Sequence, residues 1–158
     1  MIRLMEEADL EAVAELERIC FSENWSYKLL ESGLYSAYDT YYVFAQDGQI
    51  LGYCNLRILA GEGEVQRIAV RPEFRKKGIA GQLMKSMMER SAFEQVSAIS
   101  LEVRESNAPA RHLYESWGFQ AEAVRKGYYH NPTEDALIMW KRMDNADPVC
   151  VTARNDGN

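Results

Sequence analysis

The chain has no long apolar run. Among its 158 residues, no segment approaches the roughly 20 consecutive apolar residues that a membrane-spanning helix needs. The first residues, Met1 to Glu7, become acidic at once and lack the apolar stretch of a secretory signal peptide. These features predict a soluble, cytoplasmic protein that does not associate with membranes. Its length fits one domain with a single core.

Cysteine and histidine are also scarce. The three cysteines, Cys20, Cys54 and Cys150, are odd in number and far apart, and no Cys-x-x-Cys pair occurs. His112 and His130 are the two histidines. Neither a disulfide framework nor a zinc or other metal site is therefore predicted. The cysteines are interpreted as reduced thiols that pack as small side chains.

Positive charge is in deficit, because the formal net charge is -6 at pH 7. This balance argues against a general nucleic-acid binder. Residues 1–39 hold nine acidic and three basic side chains, whereas residues 71–77 hold four basic side chains and one acidic one. The basic cluster predicts a site for a small anionic ligand. The acidic region would suit a basic macromolecular substrate, and solvated helix faces would explain it equally well.

Hydrophobic periodicity and turn signals predict the order β-α-α-β-β-β-α-β-α-β-β along the chain. Expected helix caps are Asp9, Ser26 and Asn107, the expected hairpin turn is Asp47-Gly48, and Gly78 and Gly118 should begin one helix and end another. This order predicts an α/β (α+β) fold with a mixed, largely antiparallel central sheet flanked by helices. One domain is expected over residues 1–143, followed by a flexible C-terminal tail at 144–158.

A basic turn lies between a predicted strand and a predicted helix. It reads Arg75-Lys76-Lys77-Gly78-Ile79-Ala80. A helix start presents unpaired N–H groups and partial positive charge, and the small residues Gly78 and Ala80 leave room for a ligand. The turn matches neither the P-loop nor the Gly-x-Gly-x-x-Gly pattern. It is interpreted as a diphosphate site, with a basic surface cluster that only caps the helix as the alternative.

Glu102 lies in a predicted strand between Leu101 and Val103. Strand alternation points its side chain to the face opposite these two apolar neighbours. If that face lines a cleft, Glu102 would accept a proton, directly or through water, from an α-amine, whose pKa is about 7.7 to 8.0. Glu105 is a lower-ranked candidate base. A solvated glutamate without function is the alternative.

Tyr114 lies on the next helix, which Asn107 is expected to cap. Helical spacing predicts that Ala110, Leu113 and Trp117 form the apolar face. Tyr114 is therefore expected outside the core stripe, with its hydroxyl facing a site. A phenol has a pKa of about 10 and would donate a proton to a departing thiolate. A structural hydrogen bond is the alternative role for Tyr114, and Asn107 could contact a cofactor as well as cap the helix.

These segments together resemble the GNAT superfamily of acetyl-CoA-dependent N-acetyltransferases. The resemblance covers about residues 1–143 and is strongest from Val65 to Phe119. Within the superfamily the chain looks like the ribosomal-protein-alanine N-acetyltransferases, the RimI-like enzymes. The similar segments are Phe21-Ser22-Glu23-Asn24-Trp25-Ser26, Leu101-Glu102-Val103-Arg104, Ser106-Asn107, Leu113-Tyr114-Glu115-Ser116, Gly118-Phe119, and Tyr128-Tyr129 followed by Asp135 to Met139.

The resemblance implies that acetyl-CoA is the co-substrate, and no metal is expected from the cysteine and histidine content. It implies that Glu102 is the general base and Tyr114 the general acid. The acceptor would be the N-terminal α-amine of a protein, for example a ribosomal protein beginning with alanine. The implied cofactor-binding residues are Ile68, Ala69, Val70, Lys76, Lys77, Gly78, Ile79, Ala80, Gly81 and Asn107. The implied substrate-binding residues are Phe21, Trp25, Tyr128 and Tyr129.

Two other functions stay open on the sequence. One is a GNAT enzyme that acetylates a small-molecule amine such as a polyamine, which an acidic region would suit. The other is a non-catalytic CoA-binding sensor, against which the presence of both Glu102 and Tyr114 argues. A ping-pong mechanism through a cysteine is disfavoured, because no cysteine lies in a recognisable motif. The sequence does not predict the oligomeric state.

Overall fold

A computed structural model describes residues 1–143, so the predicted tail at 144–158 lies outside the described residues. Seven strands form one sheet in the order β1-β2-β3-β4-β5-β7-β6. The strands are β1 (Ile2–Leu4), β2 (Asp39–Gln46), β3 (Gln49–Leu59), β4 (Glu62–Val70), β5 (Ala98–Arg104), β6 (Gln120–Tyr129) and β7 (Glu134–Arg142). The pair β4–β5 is parallel and the other neighbours are antiparallel. The predicted mixed, largely antiparallel sheet is confirmed.

Within the described residues, four α-helices connect these strands. They are α1 (Leu10–Cys20), α2 (Tyr27–Leu34), α3 (Ile79–Phe93) and α4 (Ala108–Ser116), and short 3-10 turns precede α1 and follow β4. The element order therefore agrees with the one predicted from the sequence. None of these helices has the length and apolar character needed to cross a membrane.

The sheet has helices on both faces, and each pair of helices closes its own core. α3 and α4 pack on the face that carries Leu101 and Met139. α1 and α2 cover Tyr53 and Ala69 on the other face, nearer the N-terminal strands. The methionines of α3 belong to the first core, since Met87 and its neighbours are fully buried, as the apolar face of this helix predicts.

The parallel pairing of β4 and β5 is short, and this opens a cleft in the sheet. Residues 62–65 pair with residues 98–101, although β4 continues to Val70 and β5 to Arg104. The register of β4 against β3 also shifts at Gln66, which has no partner of its own. Such a bulge bends and twists its strand. The ends of β4 and β5 therefore diverge, and we call the gap between them the cleft.

Most predicted turns and caps are confirmed. Ser26 and Asn107 each accept a hydrogen bond from the backbone N–H three residues later, at 3.1 and 3.3 Å. Asp47 and Gly48 both have positive φ, 51° and 75°, as a two-residue hairpin turn requires. Gly118 ends α4 with a φ of 94°. These features depend on near neighbours in the chain, which is why sequence patterns identify them.

The predicted cap at Asp9 is wrong. Asp9 already has helical dihedrals and makes no capping bond to α1. Its carboxylate instead accepts hydrogen bonds from the backbone N–H of Glu6 at 2.8 Å and from the Arg3 guanidinium at 2.7 and 3.0 Å. The guanidinium on β1 outcompetes the helix N-terminus because it offers two charged donors. Arg3 thereby lowers the pKa of Asp9 below its usual range.

Candidate active site

The predicted diphosphate turn joins β4 to α3 at one end of the cleft. Lys76 and Gly78 have left-handed dihedrals, with φ of 62° and 83°. The first hydrogen bond of α3 runs from the Gln82 N–H to the Gly78 carbonyl oxygen at 3.1 Å. The N–H groups of residues 77–81 consequently have no backbone acceptor in the described part of the chain. A Cβ at Gly78 or at Gly81 would meet no atom within 4 Å, so the start of α3 has room for a ligand such as a diphosphate.

β4 presents its backbone to the cleft beyond the short parallel pairing. The Arg71 N–H donates to the Leu51 carbonyl at 2.8 Å, and hydrogen-bonded positions alternate along an antiparallel pair. Ile68 and Val70 therefore direct their peptide groups into the cleft, whereas Ala69 directs its own toward β3. The geometry favours Ile68 and Val70 over Ala69 as backbone contacts for an extended ligand.

The Val70 carbonyl already has a partner inside the protein. It accepts a hydrogen bond from Arg75 Nε at 3.0 Å and a longer one from Cys20 Sγ at 3.5 Å. Arg75 therefore holds the end of β4, and its guanidinium is directed to this carbonyl. The N–H of Val70 and both peptide groups of Ile68 remain for a ligand.

Glu102 lies on the other wall of the cleft. Leu101 and Val103 are 1% and 5% exposed, which confirms the predicted alternation. The Glu102 side chain is 28% exposed to solvent and pairs with Arg125 Nη1 of β6 at 3.4 Å. An exposed pair of this kind is weak, so the carboxylate is free to meet a ligand. Glu105 is exposed beyond the end of β5.

Tyr128 and Tyr129 stand next to Glu102 at the end of β6. Their rings meet edge to face, with centroids 5.0 Å apart. The Glu102 carboxylate raises the pKa of Tyr128. Burial, followed by the charge of Glu102, raises the pKa of Tyr129 to about 12. The structure therefore brings these two predicted substrate-site residues together with the predicted base.

Tyr114 approaches from the opposite face of the sheet, and its predicted position outside the core is wrong. It is 5% exposed and belongs to the core under α3 and α4, where its ring contacts Phe119 edge to face at 6.1 Å. Ala110, Leu113 and Trp117 are only partly buried around it. α4 directs the Tyr114 ring into the core, because burying an aromatic ring removes a large apolar area from water.

The hydroxyl of Tyr114 still suits a proton donor. It makes no hydrogen bond to another of the described residues, so no such partner competes for its proton. Burial raises the pKa of Tyr114, and the neighbouring Tyr129 adds to the effect. The phenol therefore stays protonated at neutral pH.

Arg104 closes one end of the cleft on the Glu102 side. Its guanidinium donates to the carbonyl oxygens of His130 and Pro132, each at 2.9 Å, and to Ser22 Oγ at 3.5 Å. It also pairs with Glu134 at 3.4 Å. These contacts tie the β6–β7 turn to the α1–α2 loop, residues 21–26. The sequence predicts no role for Arg104, because its partners are distant in the chain.

Arg67 of β4 contacts three residues of the α1–α2 loop. Its guanidinium lies over the ring of Phe21 at 4.1 Å and over that of Trp25 at 4.6 Å. It also donates to the Glu23 carbonyl at 2.9 Å. Two predicted substrate-binding residues thus share one cation, which belongs to a cleft strand.

Glu17 completes this arrangement and was missed in the sequence. It is fully buried on α1 and accepts hydrogen bonds from the Trp25 N–H at 2.6 Å, from the Tyr53 hydroxyl and from Arg67 Nη2 at 3.3 Å. A signal was available, because Glu17 lies four residues after Val13 on the apolar stripe of α1. A carboxylate at such a position is rarely buried unless it is paired.

Comparison with known proteins agrees with this geometry. The sequence model of the Acetyltransferase (GNAT) family matches residues 10–119. A Bacillus subtilis (strain 168) protein provisionally named a ribosomal protein bS18-alanine N-acetyltransferase is 36% identical over 144 residues, which cover 88% of this chain and 93% of that protein.

Two solved structures show the same fold. The ribosomal-protein-S18-alanine N-acetyltransferase from Escherichia coli superposes with a TM-score of 0.85 at 29% identity, covering 94% of this chain and 96% of that one. The PaiA N-acetyltransferase from Thermoplasma acidophilum, solved in complex with coenzyme A, gives a TM-score of 0.77 at 20% identity, covering 90% and 98%. The family match spans well over half of the sequence. The chain belongs to the GNAT family and is an acetyl-CoA-dependent N-acetyltransferase.

Proposed function

We propose that the enzyme acetylates the N-terminal α-amine of a protein, and that the acceptor is a ribosomal protein beginning with alanine. The observation that carries this proposal is the partly exposed Glu102 carboxylate beside the cleft, with aromatic side chains from two separate segments of the chain nearby. Phe21 and Trp25 come from one loop and Tyr128 and Tyr129 from the end of β6. Such a setting suits a small apolar first residue attached to a peptide backbone. The names of the relatives above support the acceptor.

The residues present fit acetyl-CoA. Residues 77–81 would hold its diphosphate with their free N–H groups, and Lys76 would add positive charge. Ile68 and Val70 would bind the amide groups of the pantetheine arm. Asn107 uses its Oδ1 as the cap of α4, so its amide N–H group would serve the cofactor. When bound, acetyl-CoA supplies the acetyl group as a thioester.

The protein moves protons on both sides of the reacting centre. Glu102 would take a proton from the acceptor ammonium, so that the amine can attack. Tyr114 Oη would give its proton to the sulfur that departs. Because burial raises the pKa of Tyr114, its hydroxyl stays protonated over the pH range in which the amine is deprotonated.

A panel of acceptors tests the function. It contains peptides beginning with alanine, the same peptides with blocked N-termini, lysine-bearing peptides and polyamines. We expect turnover only with free N-termini. Glu102→Gln should lower kcat about 100-fold, most strongly below the pKa of the amine, with unchanged acetyl-CoA affinity, whereas Glu105→Gln serves as the matched control and should leave kcat unchanged.

Three results would contradict the proposal. Turnover confined to polyamines would replace the acceptor with a small molecule, which remains the second candidate because Glu102 and the exposed Glu64 supply negative charge beside the cleft. Equal turnover of blocked and free peptides would move the reaction to side chains. A Glu105→Gln loss larger than that of Glu102→Gln would reassign the base.

A further inference from the structure

A second surface adjoins the cleft on the Glu102 side. Neither packed core includes the side chains that β5 and β7 direct away from α3 and α4. Register aligns them in rows across the strands, because Ser100 pairs with both Glu64 and Trp140, and Glu102 pairs with Ile138. We call this surface the open face. It consists of Glu62, Glu64, Ser100, Glu102, Ile138 and Trp140.

The open face adjoins the cleft on the side where a bound polypeptide could leave it. Arg104 closes the other direction by tying the two loops together. A groove lined by Glu64, Ser100 and Trp140 lies on this face, and Ser100 is two residues before Glu102 on β5. The Tyr128 hydroxyl, whose pKa is raised chiefly by Glu102, also lies within reach of the charge of Glu64. A polypeptide that enters at Glu102 therefore has an open path over this face.

The charge of the groove is negative along β4. Glu62 and Glu64 form no ion pair with any residue in the range 1–143, and Glu64 only accepts a hydrogen bond from the Gln66 side chain at 2.9 Å. The nearest arginine of the groove, Arg57, is already paired with Asp39 at 3.5 Å. Unpaired carboxylates line one side of the groove, and their charge matches that of a lysine or arginine side chain. On the other side, the Arg142 guanidinium lies over the Trp140 ring at 4.7 Å and pairs with Glu122 at 2.9 Å.

We propose that the open face binds the part of the acceptor polypeptide that follows its acetylated residue, and that it selects lysine or arginine there. This rests on the proposed N-terminal acetylation. A strand advances about 3.3 Å per residue, so Ser100 lies about 7 Å and Ala98 about 13 Å from Glu102 along β5. An extended acceptor with its amine at Glu102 places its third to fifth residues over these rows.

The test uses alanine-initiated peptides that share their first two residues and carry lysine, serine or glutamate at positions three to five. In the unaltered enzyme the lysine peptide should have a KM about fivefold lower than the glutamate peptide, at equal kcat, and this preference should shrink in high salt. The double variant Glu62→Gln/Glu64→Gln should abolish the preference. The double variant Glu89→Gln/Glu115→Gln makes the same charge change on α3 and α4 and should retain it.

The outcomes separate this proposal from the function on which it rests. Acetylation of all three peptides with equal KM, or a lysine preference that survives Glu62→Gln/Glu64→Gln, overturns the role of the open face and leaves N-terminal acetylation standing. Turnover of polyamines without any turnover of free N-termini overturns the proposed function, and the acceptor path falls with it. Loss of the preference in both double variants would assign it to overall charge and also overturn the open face.

Discussion

Replacing Glu17 with glutamine should loosen the α1–α2 loop while leaving the diphosphate turn intact. The buried carboxylate serves three donors, namely the Trp25 N–H, the Tyr53 hydroxyl and the Arg67 guanidinium. A glutamine side chain has nearly the same shape but offers one acceptor oxygen and an N–H donor group. It therefore cannot accept from all three, and Arg67 loses its buried negative partner.

The magnitude follows from the contacts that remain. Removing one partner of a buried ion pair costs about 3–5 kcal/mol, and losing a hydrogen bond to a charged group costs about 1.5–3 kcal/mol. The Tyr53 hydroxyl can turn to accept from the new amide, and Arg67 keeps the Glu23 carbonyl at 2.9 Å. We therefore expect a loss of about 2–3 kcal/mol in the free energy of unfolding. In a domain of this size, that lowers Tm by about 4–12 °C.

Thermal unfolding and steady-state kinetics measure the two consequences separately. For Glu17→Gln we expect the lower Tm together with a KM for the acceptor peptide raised about fivefold, while the KM for acetyl-CoA stays unchanged. Glu15→Gln is the matched control, because Glu15 lies on the same helix with 53% of its side chain exposed and pairs with Arg71 at 3.6 Å. Its Tm should move little. An unchanged Tm in Glu17→Gln, or equal increases in both KM values, would refute the reasoning.

Three further predictions concern the cofactor side and the N-terminus. Tyr114→Phe should lower kcat at least tenfold with unchanged acetyl-CoA affinity. Because burial raises the pKa of Tyr114, the unaltered enzyme should show no alkaline loss of rate below about pH 10. A changed Tm with normal kcat would make Tyr114 structural. Gly78→Ala should weaken CoA binding in calorimetry and cost about 1–2 kcal/mol of stability, since φ is 83°; unaltered binding would exclude the turn as the diphosphate site. Arg3 lowers the folded pKa of Asp9, so their stabilisation is present above about pH 4 and lost as pH falls through that lower pKa. In urea unfolding, Asp9→Asn should accordingly lose more stability relative to the unaltered protein at pH 6 than at pH 2, and a difference that does not shrink in acid would contradict this.

The sequence predicts those parts of the structure that near neighbours determine. Glu102 could be assigned to its strand face because Leu101 and Val103 flank it, and Asp47-Gly48 could be assigned to a turn from the pair alone. The same holds for Ser26, whose acceptor role involves a residue three positions away. The element order followed from such local signals, and so the fold class was within reach.

Long-range partners decided the rest. Asp9 was predicted to cap α1, but its carboxylate pairs with Arg3 instead. Tyr114 was predicted to lie outside the core, but it packs into a core formed by other elements. Glu17 and Arg67 acquire their roles only when α1 and β4 are packed together. The separation of β4 from β5 has no local signature either, because it depends on how two strands distant in sequence diverge after four paired residues.

That short pairing also divides the hydrogen-bond ladders of the sheet into two units. Strands β1–β4 and strands β5–β7 each form a continuous antiparallel unit, and only residues 62–65 and 98–101 join the two ladders. We expect a seam with so few backbone bonds to open locally more readily than the ladders beside it, which amide hydrogen exchange would detect. A ligand that spans the cleft contacts both units and stabilises the state that binds it. We expect exchange in the strands on either side of the short pairing to slow together, because one bound ligand would stabilise both units at once.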